Sequence, residues 1–424
     1  MANDTERHES TTSTVSDRDR SLKLVRSQMD LAIEFGLIRL RVEDQSLTGE
    51  SITVNGQELI NFGSCAYLGL NVDDRLKTGA IDAINQYGPV FSSSTAYTSV
   101  DLYSTLEHKL SQIFGGTVLV PTTTTLGHLS VLPVLVKPRD LVLLDHQVHA
   151  SVQLTGNTLR GLGAQVETVP HNDMDTLRSV LDERSGDYDK VWYLADGIYS
   201  MFGDTAPVTE IMDLVDRFEN LRAYFDDAHG VGWMGERGKG YVLSQVPLHD
   251  RMIVIGSLAK SWGAGGSVLV LPDGDIAEQV LLAGATFTFS GPLHPAELGA
   301  AVAAAEIHLS PELVTRQQEL MKRIDYVRDR LVAAQLPAMS LERTPIWYVR
   351  VGAPANAGVL ARQLINDGFY PNVSGFPAVP WGMDGIRFTN TLYHSEEHLE
   401  RFMDALEKYV PGLVVPLDST VDLR

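Results

Sequence analysis

Leu221-Arg222-Ala223-Tyr224-Phe225-Asp226-Asp227-Ala228-His229-Gly230-Val231-Gly232 is where the architecture of this chain first becomes readable. A short apolar run of strand character ends on an acid, and glycines carry the chain directly into a turn. Met252-Ile253-Val254-Ile255 repeats the pattern and leads into Gly256-Ser257-Leu258-Ala259-Lys260-Ser261-Trp262-Gly263, which puts Lys260 thirty-four positions after Asp226. Further runs at Leu141–Leu144, Val191–Leu194 and Ser267–Leu271 alternate with helical stretches. Alternation of this kind implies an α/β fold with a wound, mostly parallel sheet. Such sheets bind ligands beyond the carboxyl ends of their strands, and Asp145, Asp196, Asp226 and Ser257 all follow strand ends closely.

A chain of 424 residues exceeds the size at which single cores stop growing, so one large and one smaller domain are expected. Residues 1–20 read as a disordered tail, 21–65 as an N-terminal arm and hairpin, 66–294 as a large cofactor-binding domain and 295–424 as a small C-terminal α/β domain. Leu22, Val25, Met29, Ile33 and Leu37 suit an amphipathic helix ending near Gly36. Ile52-Thr53-Val54 and Glu58-Leu59-Ile60 flank the turn pair Asn55-Gly56, a hairpin signature. After Ser290-Gly291-Pro292, helices are expected over Pro295–His308, Leu313–Ala334, Gly358–Asp367 and Ser395–Tyr409, with strands near Ile346–Val351 and Gly385–Thr389.

Composition removes several function classes. The net charge of -20 argues against a nucleic-acid surface, which needs clustered Lys and Arg. It does not exclude an anionic ligand held by local backbone amides. With Cys65 the single cysteine, no internal disulfide and no cysteine-based zinc site can be built, and no metal is expected. The longest stretch without formal charge, Leu110–Val136, contains two prolines, four consecutive threonines and three glycines, so no membrane span is expected. The first twenty residues lack the apolar core of a signal peptide, and a cytoplasmic setting fits.

An amine on a well-fixed loop and a carboxylate at a strand end are what pyridoxal phosphate requires: one to take its aldehyde, the other to keep its ring nitrogen protonated. Lys260 and Asp226 meet both needs, and apolar runs on either side of Lys260 favour an amine of lowered pKa. Asp226 also suits a helix N-cap, and His229 a purely structural role. Gly230, Gly232, Gly235, Gly238 and Gly240 lack a dinucleotide fingerprint opening a helix directly after a strand, so a Rossmann reading is rejected. Thr122-Thr123-Thr124-Thr125 offers hydroxyls and free amides at a helix start, as an anion site or as simple capping.

With these residues on the page, the chain resembles the α-oxoamine synthases, which are fold-type-I pyridoxal-phosphate enzymes, from about Gly36 to Leu406. The most specific piece is Asp226-Asp227-Ala228-His229-Gly230-Val231-Gly232 continuing through Gly235-Glu236-Arg237-Gly238-Lys239-Gly240. Tyr67-Leu68-Gly69-Leu70, Leu106-Glu107, His149-Ala150-Ser151 and Ser200-Met201, with Gly203-Asp204, fall in the family's order. The resemblance implies that Lys260 is covalently linked to the cofactor, that Asp226 meets its ring nitrogen and that His149 stacks on its ring. Ser200 and His229 would contact its phenolic oxygen, while Thr124, Thr125 and Ser257 would hold its phosphate. Arg387 would grip the amino-acid carboxylate. Ser290 and Gly291 would reach the phosphate of a neighbouring subunit in a homodimer with active sites at the interface. Two departures stand out: Cys65 replaces the asparagine that usually helps hold the substrate carboxylate, and the threonine run replaces Ser-Gly followed by an aromatic.

The implied activity is an acyltransferase that condenses an α-amino acid with an acyl thioester, on coenzyme A or a carrier protein, with decarboxylation to an α-amino ketone. An aminotransferase on the same fold is the alternative, and a non-enzymatic regulator a third. No nucleic acid or membrane is an expected partner.

Overall fold

The computed structural model describes residues 22–416, residue 24 excepted. The expected disordered tail over residues 1–20 and the last eight residues of the expected small domain lie outside the described residues. Residues 25–34 are helical, and Gly36 ends the turn after them with a φ of 63°. Strands β1 (Ser51–Val54) and β2 (Gln57–Asn61) form the expected hairpin. Asn55 and Gly56 take φ values of 51° and 74°, the pair of positive angles that a two-residue turn between twisted strands requires.

The central sheet has seven strands: β3 (Thr117–Leu119), β4 (Leu141–Asp145), β5 (Gln165–Val169), β6 (Val191–Asp196), β7 (Leu221–Asp226), β8 (Met252–Ser257) and β9 (Ser267–Leu271). Their order is β3-β9-β8-β7-β6-β4-β5. β4 to β8 run parallel to one another, and β9 is antiparallel to both β8 and β3. β4, β6, β8 and β9 are buried along their whole length because helices cover both faces, which is why they read as unbroken apolar runs. Successive residues still alternate between the two cores. Leu143, Tyr193, Phe225 and Val254 join one cluster, while Leu144, Leu194, Tyr224 and Ile255 join the other.

β10 (Ile346–Gly352), β11 (Phe369–Tyr370), β12 (Asn372–Ser374) and β13 (Asp384–Thr389) follow the long helix Glu312–Ala333. β10, β13 and β12 form a second sheet in that order, while β11 pairs parallel with β2, so the N-terminal hairpin is stitched to the C-terminal part of the chain. The helix Pro295–His308 packs against the helices Asp74–Tyr87 and Asp101–Phe114. Strands β3, β5, β11 and β12 were not expected. β5 is a half-exposed edge strand whose adjacent polar residues Glu167 and Thr168 break the alternation, and β3, β11 and β12 are three residues or fewer, too short to show a period.

Candidate active site

At the carboxyl ends of β6, β7 and β8 lies a cavity of about 330 Å³ lined by Thr122 to Thr125, His149, Asp196, Asp226, His229, Ser257 and Lys260. That volume falls in the range of small-ligand sites. The β6–β7 register sets Asp196 beside Asp226, and β8 ends on Ser257 three residues before Lys260.

Asp226 is the last residue of β7, and a turn follows it, so it caps no helix. One of its oxygens accepts from the Ala228 amide at 3.1 Å, and the other lies 3.0 Å from Nε2 of His128, a fully buried residue. The other ring nitrogen of His128 meets the Tyr224 hydroxyl at 2.7 Å. Burial, and then the charge on Asp226, hold Tyr224 far above its usual range and therefore protonated. The phenol thus donates to Nδ1, and Nε2 carries the proton donated to Asp226. Burial alone would raise the Asp226 pKa, but the His128 hydrogen bond and the nearby Lys260 amine bring it below the ordinary carboxylate value. Asp196 goes the other way, raised first by burial and then by the Asp226 charge. Two neighbouring carboxyls are therefore biased in opposite directions, Asp226 toward its ionised form and Asp196 toward its neutral one.

Lys260 sits on a turn closed by the Gly263 amide donating to its carbonyl at 3.0 Å. Gly263 has a φ of 77°, and a Cβ there would lie 2.6 Å from the Leu70 backbone, so only glycine fits. The Ser257 hydroxyl accepts from the Ala259 amide at 3.1 Å. Among the described residues the Lys260 amine has no hydrogen-bond or ion-pair partner. Burial lowers its pKa against the opposing pull of Asp226.

Across the cavity the helix Thr124–Leu135 begins, capped by the Thr123 hydroxyl, which accepts from the Leu126 amide at 3.1 Å. The first amides of a twelve-residue helix are unsatisfied donors at the positive end of its dipole, a ready anion site. His149 caps the helix Ala150–Gly161, bonds Ser151 Oγ at 2.7 Å and is lowered in pKa by burial. His229, also driven well below its ordinary value by burial, shares a 2.7 Å hydrogen bond with the Tyr67 hydroxyl. The glycine run does not cradle a nucleotide. Asp227, fully buried and raised in pKa by burial, accepts from the Val242 amide at 3.0 Å, and a Cβ on Gly230 or Gly240 would come within 2.2 Å of its carboxylate. Those glycines exist to let backbone close around a buried carboxyl.

Comparison with known proteins decides the family. The model for class I and II aminotransferases matches residues 57–406. An 8-amino-7-oxononanoate synthase of Symbiobacterium thermophilum is 32% identical over 378 residues, 88% of this chain and 94% of that protein. A serine palmitoyltransferase of Sphingobacterium spiritivorum is 30% identical over 370 residues, 86% of this chain and 89% of that protein. The chain belongs to the α-oxoamine synthases. A solved serine palmitoyltransferase of Sphingomonas wittichii has the same fold, with a TM-score of 0.84 at 22% identity over 92% of this chain and 97% of that one.

Pyridoxal phosphate is the cofactor of α-oxoamine synthases, and the donor set here fits it. An ionised carboxylate, an unpartnered amine and a helix start with a serine beside it line one cavity. Lys260, Asp226, His229, His149, Ser257, Thr124 and Thr125 are thus brought together. Ser200, Arg387, Cys65, Ser290 and Gly291 do not line this cavity. Ser200 lines a larger one of about 720 Å³ that adjoins it at His149. Arg387 is buried, donates through Nε to the Ser200 carbonyl at 2.7 Å and lies 3.9 Å from Cys65 Sγ; among the described residues no carboxylate pairs with it. The Thr122 hydroxyl donates to the Gly291 carbonyl at 3.1 Å, so Ser290 and Gly291 border the threonine run from a separate cleft.

His128 is a site residue absent from the sequence-based expectations. Its signal was a lone histidine in the apolar stretch Leu126-Gly127-His128-Leu129, where a buried polar ring needs a partner. His171 is another, bridging Asp145 at 2.9 Å and Asp204 at 2.6 Å. Asp204 closes the turn that carries Ser200, its carbonyl accepting from the Tyr199 amide at 2.9 Å, and the Ser200 carbonyl in turn holds Arg387. Burial alone would lower the His171 pKa, but the two carboxylates outweigh it and raise it to about 9. A raised pKa contributes stability that is fully present below the ordinary value of 6.5 and is lost as pH rises through about 9. Melting temperature is therefore expected to fall between about pH 6.5 and pH 9, a slope that His171→Gln should flatten. An unchanged slope in the variant would assign the loss to other groups.

Proposed function

We propose that this α-oxoamine synthase joins an α-amino acid to an acyl thioester, releasing the thiol and carbon dioxide, to give an α-amino ketone. The observation that carries this reading is the pair of adjoining cavities that share His149. One has the donors for a cofactor and an amino acid, and the other offers room for a second substrate lined partly by Met201, Phe202, Phe376 and Val379. An aminotransferase handles its two substrates one after the other in a single site and needs no such annex. The relatives named 8-amino-7-oxononanoate synthase support the same reading over most of the chain.

Pyridoxal phosphate, when bound, supplies an aldehyde for the substrate amine and a ring that accepts electrons from the α-carbon. Asp226, kept ionised by His128, would accept a hydrogen bond from the ring N–H. Thr124, Thr125 and Ser257 would hold the phosphate, and neutral His149 and His229, with Ser200, would face the ring and its phenolic oxygen. Lys260, whose pKa burial lowers, would take the α-proton onto Nζ. Arg387 would take the substrate carboxylate as its missing counter-ion, in a pocket that Cys65 makes less polar than an asparagine would. Each amino acid that binds is expected to change the cofactor's absorbance without releasing a keto acid. Release of a keto acid with accumulation of the amine form of the cofactor would favour the aminotransferase instead.

The same reading includes a cytoplasmic homodimer of two-domain chains, with Ser290 and Gly291 reaching the partner's phosphate. Phe289 and Tyr97 are each 88% exposed and Leu282 76%, large apolar side chains beside the segment that would cross the interface. Phe289→Asp is expected to shift the protein from dimer to monomer in light scattering and to loosen its hold on the cofactor. A dimer that survives this change with full cofactor occupancy would contradict the placement of the interface. Among the described residues no helix is long and apolar enough to cross a membrane.

A further inference from the structure

The opposite end of the central sheet holds a second kind of site. Lys190 precedes β6, Arg222 is the second residue of β7, Arg251 precedes β8, and Lys137 follows the helix Thr124–Leu135. These four line a cavity of about 170 Å³ in which Asp250 is the only acidic residue. Arg222 and Asp226 lie on the same strand four residues apart, which separates this cavity from the active site by about 13 Å of strand.

Four cations around one small hollow are out of character for a chain of net charge -20. Carboxylates do not balance them. Arg251 approaches Asp216 at 3.6 Å and Asp250 at 3.8 Å, and those acids are 69% and 81% exposed. Among the described residues no carboxylate pairs with Lys190 or Arg222. The Arg222 guanidinium donates through Nη1 alone, to the Glu219 and Leu221 carbonyls at 2.9 and 3.0 Å. Buried Trp192 and Ile253 contribute an apolar wall, and Trp192 Nε1 is already committed to Asp140 at 3.1 Å. Arg251 Nη1 also donates to the Val215, Phe218 and Glu219 carbonyls and Lys137 Nζ to the Val134 carbonyl, so Lys190 and Arg222 carry the charge that no carboxylate meets. Low-dielectric walls beside them strengthen the attraction for an anion, and a fork next to an ammonium group suits phosphate oxygens. Burial first, and the charge of Arg251 second, lower the Arg222 pKa, and an anion would offset the second of these.

We propose that the cavity bounded by Lys137, Lys190, Arg222 and Arg251 is a binding site for a small phosphate-bearing anion, separate from the active site. Its size excludes a large ligand, so the candidates are free phosphate or a compact phosphate ester. The test is calorimetric titration of the holoenzyme, freed of excess cofactor so that the active-site phosphate position is filled, with sodium phosphate at an ionic strength fixed by sodium chloride. Saturable binding of one phosphate per chain is expected, weakened about tenfold by Lys190→Ala or Arg222→Ala and retained in Lys190→Arg. Glycerol phosphate binding more tightly than phosphate would identify an ester as the ligand, and equal or weaker binding would identify the free ion. No saturable heat, or equal affinity in both alanine variants, would overturn the proposal. Should Arg222→Ala fail to fold, acetylation of Lys190 in the unaltered protein, read by mass spectrometry, gives the answer. Phosphate at constant ionic strength should protect Lys190, and unchanged labelling contradicts the site.

Discussion

Lys260→Ala is expected to lower turnover by about 10²- to 10⁴-fold, the range associated with loss of a positioned proton-transfer group. Two properties of the site make this the largest single effect. The Lys260 amine is the basic group of the cavity whose pKa burial lowers toward the working range, and it has no partner among the described residues to compete for it. The backbone around it is fixed independently of the side chain, by the Gly263 amide on its carbonyl and by the Ser257–Ala259 bond. Truncation should therefore leave the fold intact, and thermal melting should change little while the cofactor becomes removable by dialysis. Retention of more than about a tenth of the turnover would exclude Lys260 as the group that moves the α-proton.

Asp226→Asn is expected to cost about 10²- to 10³-fold, the loss typical of removing a preorganised electrostatic contact. The amide is close in shape, so His128 can still donate to its oxygen. What disappears is the negative charge proposed to keep the ring nitrogen protonated. A depressed folded-state pKa gives a contribution that is present above the unfolded carboxylate value and lost as pH falls through the lower folded value. Asp226 therefore stays ionised throughout the neutral range, and the variant's deficit should not vary with pH there. His128→Phe offers a complementary check. Without its donor Asp226 loses the hydrogen bond that lowers its pKa, and activity is expected to weaken toward acid pH. If Asp226→Asn turned over at the unaltered rate, the ring nitrogen would not depend on this carboxylate.

Much of this site is legible in the amino-acid sequence, for a physical reason. Strands β4, β6, β7, β8 and β9 are covered on both faces, so they appear as apolar runs, and the residues after them must lie at one edge of the sheet. Asp196, Asp226, Ser257 and Lys260 follow from that geometry alone. The Asn55-Gly56 hairpin is equally local. What sequence could not show depends on partners far apart in the chain. His128 matters because it meets Asp226, 98 positions later, and Arg387 because its guanidinium meets Ser200, 187 positions earlier. The glycine run is separable from a nucleotide loop by its spacing, but its purpose rests on the buried Asp227 carboxyl around which it closes. Edge strand β5 escapes because it is half-exposed and polar at Gln165, Glu167 and Thr168, and β11 because two residues cannot show a period.

That Lys260 and Asp226 serve carbon-carbon bond formation between two substrates is tested most sharply by thiol release. The holoenzyme is incubated with candidate acyl thioesters in the presence and absence of each amino acid, and free thiol, carbon dioxide and amino acid are followed together. Thiol release should require an amino acid and proceed one-to-one with amino-acid consumption and carbon dioxide. Thiol release independent of any amino acid, or amino-acid turnover to a keto acid with the thioester untouched, would refute the condensation.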